Sequence, residues 1–309
     1  MGAASFICLA LASTVVIGRA AAGAEAGKWV EPDASNSALE MNFLGIVAAD
    51  WPSACEFYTK RLGVRLTATN PTYGNWAQLG AGWDEHASGK SRSMILELFE
   101  GGPAGNNDRR WGHRQGIRPS IQVDNLDAMV AAARARGVMF TGEIETVAWG
   151  RRIEFSAPDG VRWTLSEARG RPAGSDLALP LIGHVELKAH DVAGQKAFYR
   201  DVMGLQFESE DARGIILVQG PGKAWLTIEP GGERQANSPA ASRTALGQPI
   251  NQPLFISFMT HHLDQVAARL KKAGVTILRG IERHPDWGGT DLIITDVDGN
   301  AIQVVQYGL

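Results

Sequence analysis

The segments "DWPSACEFYTKRLGV" at 50–64 and "DVAGQKAFYRDVMGL" at 191–205 decide the fold, because each is a version of the other. Both open on Asp, carry Phe-Tyr in the middle and reach a Gly followed by an aliphatic residue. Two further pairs recur in the same order. "VDNLDAMVAAARARGV" (123–138) matches "THHLDQVAARLKKAGV" (260–275), and "WGRRIEFSAPDGVRWTL" (149–165) matches "WGGTDLIITDVDGNAIQVV" (287–305). Three matches in order, at a nearly constant offset of about 140 residues, mark a duplicated domain. The copies span 41–168 and 181–307, and the Arg/Gly/Pro/Ser-rich stretch at 169–180 is the linker.

Each copy divides again. A strand enters a short helix whose apolar residues fall at helical spacing, as with Ala54, Phe57, Tyr58 and Leu62. Gly63 and Gly204 close these helices, where a left-handed cap favours glycine. Strands such as "WAQLGA" and "SMILELF" follow, and the pattern restarts with "PSIQV" and a helix at Leu126–Arg136. Asp159-Gly160 and Asp298-Gly299 mark tight turns before each last strand. The expected class is α+β, with four β-α-β-β-β modules in two tandem domains.

The bulk properties narrow the partners. A 309-residue chain with 44% hydrophobic residues and a net charge of −3 has no basic surface for nucleic acid. Nine Trp and ten Phe favour a small, partly aromatic ligand. The apolar run Ala3–Ile17, followed by small residues at Ala20–Ala24, reads as a signal peptide over 1–24, though no Lys or Arg precedes it. The expected location is periplasmic or secreted, with no membrane association after cleavage. Cleavage would leave Cys55 alone, so no intrachain disulfide is expected.

Paired β-α-β-β-β modules with "FY…LG" after the first helix and "PDG" before the last strand resemble the vicinal oxygen chelate superfamily. That group includes glyoxalase I, extradiol dioxygenases, and the bleomycin and fosfomycin resistance proteins. The resemblance implies cupped mixed sheets, each built by two modules around a divalent metal. It implies ligand places at Phe43, Arg118, His184 and Phe255 on first strands and at Glu97, Thr164, Thr227 and Gln303 on last strands. Phe cannot ligate, Arg repels a cation, and Thr is a weak donor. Modules pair in the family as 1 with 4 and 2 with 3, or as 1 with 2 and 3 with 4. Either way Glu97 and His184 fall in different cups, so no cofactor is expected. The alternative is a divalent metal on His184, Glu186 and Gln303, which requires modules 3 and 4 to share a cup.

The stretch "GHVELKAHD" at 183–191 sets His184, Glu186 and Lys188 on one face of a strand. The resemblance makes that face concave. The three form a candidate catalytic set, with His184 moving the proton, Glu186 holding both neighbours, and Lys188 meeting an oxyanion. The competing reading is an internal salt-bridge network. If modules 2 and 3 pair, Arg118, Gln122 and Arg162 join the set in an anion-attracting pocket. If 3 and 4 pair, the neighbours are Phe255, Ser257, Met259 and Gln303. Glu97 faces a cup shared with Phe43 and Val47, and Trp149, Trp225 and Trp287 offer stacking surfaces. His113 and His284 are read as loop residues, and His261-His262 as an exposed helix start.

The expected function is a metal-independent lyase or isomerase acting on a small oxygenated, aromatic-compatible compound. The alternatives are a metal-dependent glyoxalase- or dioxygenase-like enzyme with unusual ligands, and a drug- or metabolite-binding protein. The fused duplication makes a monomer self-sufficient, and a dimer is compatible with it.

Overall fold

The computed structural model describes residues 39–48, 50–69, 75–80, 93–100, 116–170, 181–211, 214–218, 224–234, 254–285 and 288–307. The signal-peptide segment, most of the linker, His113 and Trp287 lie outside them.

Four modules follow one another. Module 1 runs β1 (Glu40–Ala48), α1 (Trp51–Glu56), β2 (Leu66–Thr69), β3 (Trp76–Gly80) and β4 (Ile95–Glu100). Module 2 has β5 (Ile117–Gln122), α2 (Leu126–Ala135), β6 (Phe140–Val147), β7 (Gly150–Ser156) and β8 (Arg162–Ala168). Module 3 has β9 (Leu181–Ala189), α3 (Val192–Ala197), β10 (Gln206–Asp211), β11 (Gly214–Val218) and β12 (Trp225–Pro230). Module 4 has β13 (Leu254–Met259), α4 (Leu263–Lys272), β14 (Ile277–His284), β15 (Gly289–Thr295) and β16 (Ala301–Tyr307).

Local chemistry sets the boundaries. Asp50 and Asp191 cap the first helices, each accepting the backbone N–H three residues on. Both helices then widen into a π-turn, over Phe57–Arg61 and Phe198–Val202. Gly63 and Gly204 end them at φ 76° and 80°, and Gly160 and Gly299 take the same hand in the turns before β8 and β16.

The strands assemble into two eight-stranded curled sheets, ordered β14-β15-β16-β13-β1-β4-β3-β2 and β10-β11-β12-β9-β5-β8-β7-β6. Antiparallel pairing of β1 with β13 joins modules 1 and 4, and that of β5 with β9 joins modules 2 and 3. This settles which of the two arrangements the chain adopts. It also removes the metal grouping of His184, Glu186 and Gln303, because β9 and β16 belong to different sheets.

Helices pack on the face of each sheet away from its cup. There Leu44, Leu98, Ile121 and Val185 meet Ala54, Leu126 and Val266 in one continuous core. The modules are cross-linked through that core. Tyr58 of module 1 donates to Asp159 of module 2 at 2.8 Å and accepts from Trp163 Nε1 at 2.9 Å. Tyr199 of module 3 donates to Asp296 of module 4 at 3.2 Å. Thus each sheet joins one pair of modules while the buried tyrosines join the other pair. Tyr58→Phe strips a partner from both Asp159 and Trp163, and is expected to cost about 1–3 kcal/mol in urea unfolding. Tyr199→Phe should cost less, because Asp296 keeps its bonds from Asn300.

Candidate functional site

The concave face of the second sheet carries the polar residues. His184, Glu186 and Lys188 on β9 lie beside Trp225, Thr227 and Glu229 on the parallel strand β12. On the other flank β5 places Ser120 opposite His184 and Arg118 opposite Glu186. His184 and Glu186 are fully buried, and the Lys188 side chain is mostly buried.

The expected contacts among the three do not form. Glu186 holds neither neighbour: it accepts from Thr164 Oγ1 at 2.7 Å and pairs with Arg152 of β7. Lys188 pairs with Glu229. His184 Nε2 bonds Thr227 Oγ1 at 3.0 Å, and its ring stacks on Trp225 at 3.6 Å with the Trp149 edge against it at 4.5 Å. The reason is geometric. Alternate residues along a strand stand about 7 Å apart, whereas cross-strand neighbours stand about 5 Å apart and capture the side chains first.

Arg152 is the centre of this face. It crosses the cup from β7, donating from Nε to Glu145 at 2.6 Å and from Nη1 and Nη2 to Glu229 at 2.8 and 3.2 Å, besides its pair with Glu186. Beside it, Glu154 accepts from Arg162 at 2.5 Å and pairs with Arg118. Four cations therefore meet four carboxylates, and the face is charge-compensated instead of anion-attracting. Burial pushes the Glu186 carboxyl up to about 7, against the pull of Arg152. Burial also raises Glu229, but Arg152 and Lys188 more than offset it and hold that carboxyl below its ordinary value.

A cavity of about 420 Å³ opens above this network. Arg152, Lys188, Glu229 and Thr227 reach it, and Trp149 and Ile216 supply apolar wall. Among the residues expected from sequence, Lys188 lines the cavity directly and His184 touches it through Thr227. Glu186 lies beneath Arg152, and Trp225 supports the imidazole. Arg118 belongs to the neighbouring cluster, and Gln122 is buried with its Nε2 unpartnered among the described residues. Arg152, Glu145, Glu154 and Glu229 escaped the sequence reading. The alternation Arg152-Ile153-Glu154 was the available signal, since it sets two charges on one face of a strand that is buried on both sides.

Glu97, Phe255, Met259 and Gln303 stand in the other cup. There Gln303 Nε2 donates to Asp291 at 2.6 Å, and Asp291 also pairs with Arg279 and bonds His284 at 2.9 Å. His284 is therefore a buried strand-end residue and not a loop histidine. His261 is exposed and His262 caps α4, at the start of that helix as expected.

Among the described residues, neither cup assembles the donors of a divalent metal site. In the second, the family's ligand places hold Arg118, two threonines already bonded to Glu186 and His184, and His184 itself, with a guanidinium close by. In the first they hold Phe43, Phe255, Glu97 and a Gln303 engaged by Asp291. Among the described residues no group of three His, Cys, Asp or Glu is placed to hold an ion.

Solved structures share the fold at low identity. Glyoxalase I from Zea mays superposes with a TM-score of 0.60 at 16% identity, over 87% of this chain and 92% of that one. A candidate dioxygenase from Bacillus subtilis gives 0.61 at 13%, over 88% and 86%. No curated protein matches the sequence. A family model described as the Glyoxalase/Bleomycin resistance protein/Dioxygenase superfamily matches residues 40–165 and again 181–304. With both domains matched, four modules in two curled sheets, and the duplication read from the repeats, the chain belongs to the glyoxalase/bleomycin resistance protein/dioxygenase superfamily.

Proposed function

We propose that the second cup binds a small, uncharged, oxygenated compound and acts on it as a lyase or isomerase, by acid–base chemistry without a resident divalent metal. The observation carrying this reading is the His184–Thr227 bond at the wall of a cavity that also presents Lys188. A proton leaving the substrate passes to Thr227 Oγ1 as Thr227 gives its own to His184 Nε2. Lys188 then donates to the oxygen that gains charge. Trp225 and Trp149 hold the imidazole in place. The compensated charges of Arg152, Lys188, Glu229 and Glu145 favour a neutral ligand, and Trp149 and Ile216 suit an aromatic one. Export, read from Ala3–Ile17, fits a scavenging or detoxifying role outside the cytoplasm.

The test starts with turnover screens of neutral hydroxy- and keto-aromatic compounds on chelator-treated protein. Activity should survive the chelator, and His184→Gln should lower kcat by about 10²-fold. Activity that vanishes in chelator and returns with added metal would overturn the proposal.

A second reading, ligand binding without turnover, is favoured by the full enclosure of His184 and Glu186 and by the clamping of Glu229 between two cations. Recovery of an unchanged compound from a tight complex, with none of the screened compounds converted, would establish it instead.

A further inference from the structure

The first cup holds an unmatched carboxylate among aromatic rings. Register places Glu97 of β4 beside Gly45 of β1 and Gln78 of β3, on the concave face. Phe255 of β13 lies opposite Gly45, and its ring fills the space a β-carbon there would take: that carbon would sit 1.9 Å from the ring. Phe99 stacks on Phe255 at 6.2 Å, and Phe43 meets Tyr307 at 5.8 Å. Phe43, Phe99 and Phe255 are each buried, while Glu97 itself is part-exposed. Glu97 therefore stands at the edge of a wall of rings, on the same face of the sheet.

Among the described residues nothing hydrogen-bonds or ion-pairs with Glu97, whose charge adds to burial in raising the Tyr307 hydroxyl above its ordinary pKa. The nearby acid, Asp291, is answered by Arg279, His284 and Gln303. Ser257 shares the face through its pairing with Phe43 and Gln303. It is fully buried, and its Oγ has no hydrogen-bond partner among the described residues. An ionised carboxylate and a buried hydroxyl left without partners each cost free energy, and one ligand offering positive charge and N–H donors would satisfy both. The faces of Phe43, Phe99 and Phe255 add cation–π attraction to such a ligand.

We propose that the first cup is a second ligand site, independent of the Arg152 cup, which takes a small organic ammonium ion on Glu97 within the cage of Phe43, Phe99 and Phe255. Among the described residues no other donor joins Glu97, and phenylalanines at two ligand places suit a bare divalent cation poorly, whereas a soft, weakly hydrated ammonium suits the rings. Ser257 accepts an N–H from it.

Isothermal titration of the full chain with benzylammonium chloride and, separately, with benzyl alcohol tests this. The ammonium should bind at least about tenfold more tightly than the alcohol of the same shape. Glu97→Gln keeps the side-chain volume and should abolish that preference. Phe255→Leu should weaken the ammonium alone, and Ser257→Ala should weaken benzylammonium but not its trimethyl form, which has no N–H. Trp149→Ala, in the other cup, should leave the preference intact. Near-UV circular dichroism establishes that each variant is folded, and the Phe255 and Ser257 variants carry the test if Glu97→Gln is not. Equal binding of both probes, a preference surviving Glu97→Gln, loss of it in Trp149→Ala, or no ammonium binding at about 10 mM would each overturn the proposal.

Discussion

Arg152→Met is expected to lower the unfolding free energy by about 3–5 kcal/mol, the largest single effect predicted for this protein. The guanidinium is the common partner of Glu186, Glu229 and Glu145. Without it Glu186 is left fully enclosed with a charge that only the Thr164 hydroxyl addresses directly. Losing one member of a buried pair costs far more than the pair contributes, because the survivor keeps its desolvation penalty. The double variant Arg152→Met/Glu186→Gln should therefore recover much of the loss, which denaturant titration of all three proteins would measure. pH gives a further check. Burial already holds the Glu186 carboxyl up to about 7, and removing Arg152 raises it more. The loss should then be largest above pH 7 and shrink towards pH 5, where protonation neutralises the orphan. Arg162→Met is the control: that side chain is more exposed, Glu154 retains Arg118, and about 1 kcal/mol is expected. Equal losses for Arg152 and Arg162 would show that the bridge across the cup contributes little.

The second large effect is on pH. The unfolding free energy of the natural chain should fall by several kcal/mol between about pH 5 and pH 8. Burial pushes Glu97 and Glu186 up to about 7, and Asp159 and Asp296 up to about 6. In the unfolded chain these groups return to about 4, so the folded state binds their protons more tightly. Their contribution is complete below pH 4 and is lost as pH climbs through 6 and 7. Glu229, held low by Arg152 and Lys188, acts in the opposite sense, but only as pH falls below the ordinary carboxylate value. Urea titrations at pH 5 and pH 8 measure the difference. Glu97→Gln should flatten it by about 2–3 kcal/mol at most, since its carboxyl is shifted by desolvation alone. A stability that is constant or rises across this interval would contradict the burial of these carboxyls.

The two cups carry opposite local chemistry on one scaffold. Glu145 with Arg152 on β6 and β7 has its counterpart in His284 with Asp291 on β14 and β15, the central charge being inverted. Duplication preserved the strand positions while the side chains at them diverged, which is why one cup's chemistry says little about the other's. Among the described residues neither cup groups the donors of a divalent ion, yet each retains buried polar groups that cost free energy to hold.

Much of this was legible from residues alone. The repeats, the Phe-Tyr helices, and glycines at Gly63, Gly204, Gly160 and Gly299 are local signals, since they report dihedral preferences and spacing that hold in any tertiary setting. So the four modules, the α+β class and the unsuitability of Phe43 and Phe255 as ligands follow from the chain itself. Which modules share a sheet does not. First strands β1, β5, β9 and β13 occupy equivalent places in their modules and are all largely buried, so no local signal names their partners, and the choice rests on how the modules pack. Nor could the partners of His184, Glu186 and Lys188 be found along the strand. They lie on β7, β8 and β12, and Arg152 is 34 residues from Glu186 and 77 from Glu229. A buried charge takes whichever opposite charge the fold brings within reach, and that is decided by strand order and sheet curvature, not by sequence spacing.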